Sequence, residues 1–324
     1  MQGTTIRRNA SGRVAGGTRG LRRVMRVLVI FALVLALASC ISTRFVYNQL
    51  DWIITWQLSG YFDLEKEQKT ELRATVTRSL DWVRTEQLPA FAQLLRAVAE
   101  EAGTGELTAS RWQSIYDLII ALFDEFLRHV VPEAAAFLSG LSDAQVEYLM
   151  DKLEEENADL REEFSGTTPE ERQKRREKAI IKGMQRFTGR LTGEQKSMVS
   201  TAVGSMYDNS EEWLEGRRLW QHAFRELLLE RPPKPEFEAR LLAISLDPNY
   251  VDTPEYRAQV EANQRIVLEL MANLIVSLND SQRERFQRRI NGYADDFDAL
   301  ARQDGGAAAA GSQQVPAALA FRAD

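Results

Sequence analysis

An all-α fold is predicted for this chain of 324 residues by three features. Apolar residues recur at three- and four-residue spacing over long stretches, strand-like alternation between hairpin turns is scarce, and one helix-opening pattern occurs at four places. A content of 44% hydrophobic and 27% charged residues supports a real core in one large or two modest domains. The expected architecture is an elongated multi-helix bundle of helical hairpins, behind an N-terminal leader and ahead of a disordered tail.

Residues 1–24 are rich in Gly, Arg, Ser and Thr and lack apolar periodicity. Two starts stay open: Met25 gives a compact leader with residues 1–24 untranslated, and Met1 gives an extended basic region. Arg22-Arg23-Val24-Met25-Arg26 then precedes an uninterrupted apolar run from Val27 to Ala38. A basic stretch, an apolar stretch and small residues are the order of a secretory signal. The run falls short of the roughly 20 residues that cross a bilayer as a helix. Leu37-Ala38-Ser39-Cys40 resembles the bacterial lipobox at all four positions. The resemblance implies cleavage between Ser39 and Cys40 and diacylglycerol on the Cys40 sulfur, with long acyl chains such as palmitate, and in most Gram-negative bacteria a further chain on the new amino terminus. Each buried methylene contributes about 0.8 kcal/mol, so two or three chains hold far more firmly than one. Ile41 follows the cysteine where an aspartate commonly retains such proteins in the inner membrane. The periplasmic face of the outer membrane is therefore the favoured location, with the inner membrane as the alternative.

The helical domain is expected over 40–303. Phe45, Tyr47, Trp52, Trp56, Tyr61 and Phe62 crowd its first stretch, and Trp52 and Trp56 share a helix face. Packing of a first helix against the bundle is the favoured reading of these aromatics. A membrane or partner contact through Trp52, Trp56 and Tyr61 is the functional one. Trp112, Ile115, Tyr116, Ile119, Ile120, Phe123, Phe126 and Leu127 paint one wide apolar face, which is expected to be buried. A further stripe runs from Ile266 to Leu278 through Val267, Leu270, Met271, Leu274 and Ile275. Stops are placed at Gly103-Thr104-Gly105, Ser139-Gly140, Ser165 to Pro169, Pro232 to Pro235, and the loop from Asp247 to Pro254. Residues 304–324 show too little apolar pattern to pack.

The recurrent opening is Leu64-Glu-Lys-Glu-Gln68, Leu141-Ser-Asp-Ala-Gln145, Leu191-Thr-Gly-Glu-Gln195 and Leu278-Asn-Asp-Ser-Gln282. Ser142, Thr192 or Asn279 caps a helix while the Gln three positions on reaches back, and the preceding Leu acts as a staple. In the first copy Asp63 is the expected cap. The irregular intervals mark helix starts, not a solenoid.

Charge and side-chain inventory exclude several functions. Residues 1–39 hold seven arginines and no acid, so 41 basic residues less seven leave 34 against 47 acidic ones, a net −13 after cleavage. Such a domain repels nucleic acid. Cys40 is the one cysteine, and His129 and His222 stand far apart, so neither a disulfide nor a transition-metal site is expected. Apart from covalent lipid on Cys40, no cofactor is expected. Serine-nucleophile elbows, Walker loops and dinucleotide fingerprints are missing. Asp51, Asp81, Glu65, Glu67 and Glu71 are read as solvated surface, as are the runs Glu154-Glu155-Glu156 and Lys174-Arg175-Arg176, which could pair across a hairpin.

The Leu-Thr-x-x-Gln form at Leu191–Gln195 resembles the signature of the Spy- and CpxP-type periplasmic chaperones, which implies a concave helical surface for unfolded clients. Tyr47-Asn48-Gln49-Leu50-Asp51-Trp52, Tyr61-Phe62-Asp63-Leu64, Gln68, Trp82, Glu86, Leu88 and Pro89 resemble an uncharacterised family of proteobacterial lipoproteins, over most of the mature length. That family has no established activity, so no active-site residue follows from it. The expectation is a membrane-anchored, non-catalytic interaction or structural protein of the envelope, with a protein partner. A chaperone-like binder is the first alternative and a cell-wall hydrolase the second.

Overall fold

The computed structural model describes residues 43–247 and 253–303. The leader, the cleavage position at Ser39, Cys40 and the tail 304–324 lie outside the described residues, as does most of the loop after Asp247. Among the described residues the chain is helical almost throughout and contains no strand. In order the elements are α1 (Thr43–Tyr47), α2 (Leu50–Ser59), α3 (Lys66–Trp82), a π-helical turn (Val83–Gln87), α4 (Leu88–Thr104), α5 (Ala109–Ser139) and α6 (Asp143–Ser165). The second half holds α7 (Pro169–Thr188), α8 (Gly193–Gly204), α9 (Ser210–Glu230), α10 (Lys234–Leu246), α11 (Pro254–Val276) and α12 (Asp280–Gln303). At 1.5 Å per residue the 31-residue α5 extends about 46 Å and continues through Pro132.

Local chemistry sets the boundaries. Thr108, Ser142, Thr168, Thr192 and Thr253 each accept a hydrogen bond from the backbone N–H three residues on, closing an otherwise unpaired donor at a helix start. The expected stops hold: α4 ends into Gly105 in the left-handed region (φ 84°), α5 ends at Ser139, α6 at Ser165, and α9 at Glu230 before the proline cluster. The first copy of the opening pattern differs from expectation. Its cap is Glu65, not Asp63, and the Glu65 N–H donates to Gln68 Oε1 at 3.0 Å. This keeps Leu64 immediately before the cap, buried in the staple position that Leu141, Leu191 and Leu278 occupy in the other copies.

The four openings meet in two pairs. Gln145 Nε2 donates to Gln68 Oε1 (2.7 Å) and Gln68 Nε2 to Gln145 Oε1 (3.2 Å), which joins the starts of α3 and α6. Gln195 Nε2 donates to Gln282 Oε1 (2.9 Å) and Gln282 Nε2 to Gln195 Oε1 (3.0 Å), which joins α8 to α12. Three of the glutamines also donate to the carbonyl just before the partner's staple leucine: Gln145 to Asp63, Gln195 to Ser277 and Gln282 to Arg190. The same device thus appears once in each half of the chain, and the buried amides of Gln145, Gln195 and Gln282 have few alternatives to pairing.

Packing spreads over several clusters along the bundle. One gathers Leu64, Val76, Val131, Leu141, Val146, Leu227, Leu228 and Phe237, and another gathers Tyr47, Leu50, Leu88, Ala92, Phe297 and Leu300. The most extensive helix-to-helix contact among the described residues is between α4 and α12, where Ala92, Ala99, Ala102 and Ala294 are buried and a Cβ added to Gly103 would come within 2.6 Å of Gln287 Nε2. Small residues let the backbones approach until Gln287 and Arg283 donate to the carbonyls of Ala99 (2.9 Å) and Ala102 (2.7 Å). Beside the π-helical turn, the buried Tyr47 hydroxyl donates to Leu80 O at 2.8 Å, with the Arg84 guanidinium over its ring. Burial pushes the Tyr47 phenol up to about 12, against the pull of Arg84.

Two surface expectations are corrected. The apolar face of α5 is buried only in part: Ile115 and Leu122 are covered, whereas Tyr116, Ile119, Ile120 and Phe123 are between 41% and 46% exposed. The reason is geometric: α4 residues together with Ile275 of α11 and Leu278 cover the Ile115 and Leu122 edge of the stripe, which is wider than that cover. Nor are the acidic and basic runs paired across a hairpin. Glu156 is buried, Glu155 pairs with Lys152, Arg175 with Glu163 and Arg172 with Asp208.

Candidate functional site

The three residues singled out as a contact surface separate into two settings. Trp52 and Trp56 lie one turn apart on α2 and point outward, 56% and 69% exposed, with rings stacked at 6.3 Å between centroids and 14° between planes. Phe45 on α1 is 60% exposed. Packing into the bundle, the favoured sequence reading, is corrected for these side chains, because α2 fills its core contact with Leu50, Ile54 and Leu58 instead. Tyr61 belongs elsewhere. Its ring packs on the core and its hydroxyl donates to Glu156 Oε1 at 2.6 Å.

That bond leads into a buried polar network which sequence reasoning missed. Arg217 Nη2 donates to Glu156 Oε2 (3.0 Å) and Arg217 Nε to Asn157 Oδ1 (2.9 Å), while the Asn157 and Gln221 amides meet at 2.6 Å. Glu156 and Arg217 side chains are only 6% and 13% exposed. Desolvation pulls the Arg217 guanidinium below the usual arginine range, and the facing Glu156 charge opposes that shift. A signal was present: the apolar stripe Val146, Leu149, Leu153, Leu160 of α6 passes through Glu156 and Asn157, and that of α9 from Leu214 to Phe224 passes through Arg217 and Gln221. The network joins α6 to α9 and to the loop before α3, and its groups are saturated with one another. Its chemistry is that of a specific helix-to-helix joint.

The other conspicuous polar residues stand apart. Asp51 accepts from Arg73 at 2.8 Å and is held below the usual carboxylate range chiefly by that bond. His129 stacks on Trp82 with 4.1 Å between ring centroids. His222 lies 3.7 Å from Glu226 on its own helix, and with Glu154 and Glu215 it lines a shallow groove between α6 and α9. Both members of the His222–Glu226 pair are more than half exposed, so water screens them. Among the described residues no cluster of His, Cys, Asp and Glu is placed to hold a metal, and no helix is long and apolar enough to cross a membrane.

Large apolar side chains are exposed at several places on the described surface, Tyr207, Trp213 and Val276 among them, and they follow one another at helical spacing along two faces. One is the outward face of α1 and α2. The other is the open stripe of α5, where Tyr116, Ile119, Ile120 and Phe123 follow one another at helical spacing and Phe123 stacks on Phe126. Contiguous apolar surface of this kind marks contact with another molecule, while single exposed apolar residues do not.

No curated protein and no solved structure matches the chain. Beyond its role as a helix cap, the local Leu-Thr-x-x-Gln likeness gains no support from these comparisons. The resemblance to a family without established activity is met by a match that begins at the end of α2 and stops in the first turn of α11, short of α12 although α12 closes against α4. Over residues 60–257 the chain matches DUF6279, a family of unknown function, and it belongs to that family.

Proposed function

We propose that the protein is a lipoprotein held by acyl chains on Cys40 at the periplasmic face of the outer membrane, and that its helical domain works by binding another envelope protein, not by catalysis. One observation carries the contact part of this reading: the stripe Tyr116, Ile119, Ile120 and Phe123 remains open on a helix whose other side is packed. Four large apolar groups at i, i+3, i+4 and i+7 match the side-chain spacing that a partner helix or apolar groove recognises. Asp51, His129 and His222 sit apart from one another, in an ion pair with Arg73, a stack on Trp82 and a screened pair with Glu226, which favours binding over hydrolysis. The location rests on the leader, the lipobox-like Leu37-Ala38-Ser39-Cys40 and Ile41.

The test is site-specific photocrosslinking from position 120 in intact cells. A discrete adduct that disappears with Phe123→Lys, while the helical content of the protein is kept, supports the reading. A featureless smear, or adducts equally strong from a position on the exposed polar side of α12, contradicts it. The same stripe gives the chaperone-like alternative its one favourable feature. Suppression of client aggregation by the purified protein, lost in Ile120→Lys, would select that alternative.

A further inference from the structure

Phe45, Trp52 and Trp56 stay largely exposed on the outward face of α1 and α2, while the opposite face of the same helices packs into the core. Counting 100° per residue, Phe45, Trp52 and Trp56 fall within about 40° of each other, while Tyr47, Leu50, Ile54 and Leu58 centre about 180° away. The link between the two helices stays nearly helical, with Gln49 at φ −107° and ψ 0°, so the count carries across it. The first group is exposed and the second packs into the core. A helix that is apolar on both sides needs a second apolar medium on its outer side.

The covalent distance names that medium. From Cys40 to Thr43 there are three residue steps, which span at most about 11 Å even when fully extended. An acyl anchor on Cys40 therefore places α1 within reach of the headgroup layer, and the outward face is the one left to meet it. Tryptophan suits this layer, because its ring is apolar and its indole N–H can still bond to water or phosphate. The charge balance is also informative: the net −13 of the mature chain gives no general attraction to anionic lipid, so contact through aromatic rings does not depend on lipid charge.

We propose that α1 and α2 lie along the surface of the membrane that holds Cys40, with Phe45, Trp52 and Trp56 seated in the lipid headgroup layer. This rests on the lipid-anchor reading above. Seated in this way, the pair orients the bundle on the membrane, which a tether of three residues alone would leave free to tilt.

The experiment uses the full-length protein purified from membranes, first weighed intact and then reconstituted in phosphatidylcholine vesicles with or without lipids brominated near the headgroup. Tryptophan emission is the readout. The expected result is quenching of the wild type, reduced to roughly half or less in Trp52→Phe/Trp56→Phe, although four of the six tryptophans remain. Exchanging part of the phosphatidylcholine for phosphatidylglycerol should leave the quenching unchanged. Acylated protein whose quenching is equal in wild type and double variant overturns the membrane contact alone and leaves the anchor standing. Protein without acyl mass on Cys40 overturns the anchor and the contact together.

Discussion

Gln195→Ala tests whether the recurrent opening pattern is a structural joint. Gln195 is 1% exposed. Its Oε1 accepts from the Thr192 N–H (2.9 Å) and from Gln282 Nε2 (3.0 Å), while its Nε2 donates to Ser277 O (3.1 Å) and Gln282 Oε1 (2.9 Å). After truncation Gln282 keeps the Asn279 N–H and Arg190 O as partners. The Thr192 N–H and Ser277 O lose theirs. At about 1–3 kcal/mol for each of these two groups left unpaired, the loss is about 2–6 kcal/mol, well above the roughly 0.5 kcal/mol of an ordinary surface substitution. Denaturant unfolding of the mature protein in mild detergent measures it. The double variant with Gln282→Ala should cost less than the two single variants summed, because their mutual bonds are otherwise counted twice. A loss below about 0.5 kcal/mol, or strict additivity, would show that the paired glutamines do not join α8 to α12.

Four further outcomes are expected. Below pH 10 the Tyr47 phenol is neutral in both folded and unfolded chains, and between its ordinary value of 10.0 and its folded value of about 12 only the unfolded chain ionises, so stability falls as pH rises through that window. The fall attributable to this group is about 3 kcal/mol, and comparing unfolding of Tyr47→Phe and wild type at both ends of the window should show it missing from the variant. Ala99→Leu wedges α4 away from α12 and should cost about 1–3 kcal/mol, read as a lower denaturation midpoint with an unchanged slope. Arg217→Met leaves the Glu156 carboxylate buried with Tyr61 as its remaining donor and should cost about 3–5 kcal/mol, most of it recovered when Glu156→Gln is added. Ile120→Lys, on the open stripe, should change stability by less than about 0.5 kcal/mol while abolishing the crosslink from position 123.

Helices were legible in the sequence because their signals are local. Ser142, Thr192 and Asn279 mark starts by chemistry contained within four residues, and Gly105 marks a stop through its own backbone freedom. Pairing of the starts was not legible, since nothing in Leu191–Gln195 indicates that its partner lies 87 residues on rather than in the nearer copy. Apolar spacing on α5 identified a face but not its cover: periodicity reports which residues share a side, and the neighbour's width decides how many are buried. The aromatics of α1 and α2 misled for a related reason. Tyr47 and Leu50 supply enough area for packing, which leaves Trp52 and Trp56 on the side away from the core. Glu156 was read as solvated because it ends a run of three acids, whereas its register on the α6 stripe, shared with Leu149, Leu153 and Leu160, was the better guide.

The lipid anchor is the claim on which the location, the partner class and the membrane contact all depend. Intact mass and membrane fractionation of the native protein beside Cys40→Ser test it most directly. A lipidated wild type begins at Cys40, carries added acyl mass and sediments with the outer membrane, and the variant stays unprocessed or moves to the soluble pool. An unmodified wild type that retains residues 25–39 would contradict the account.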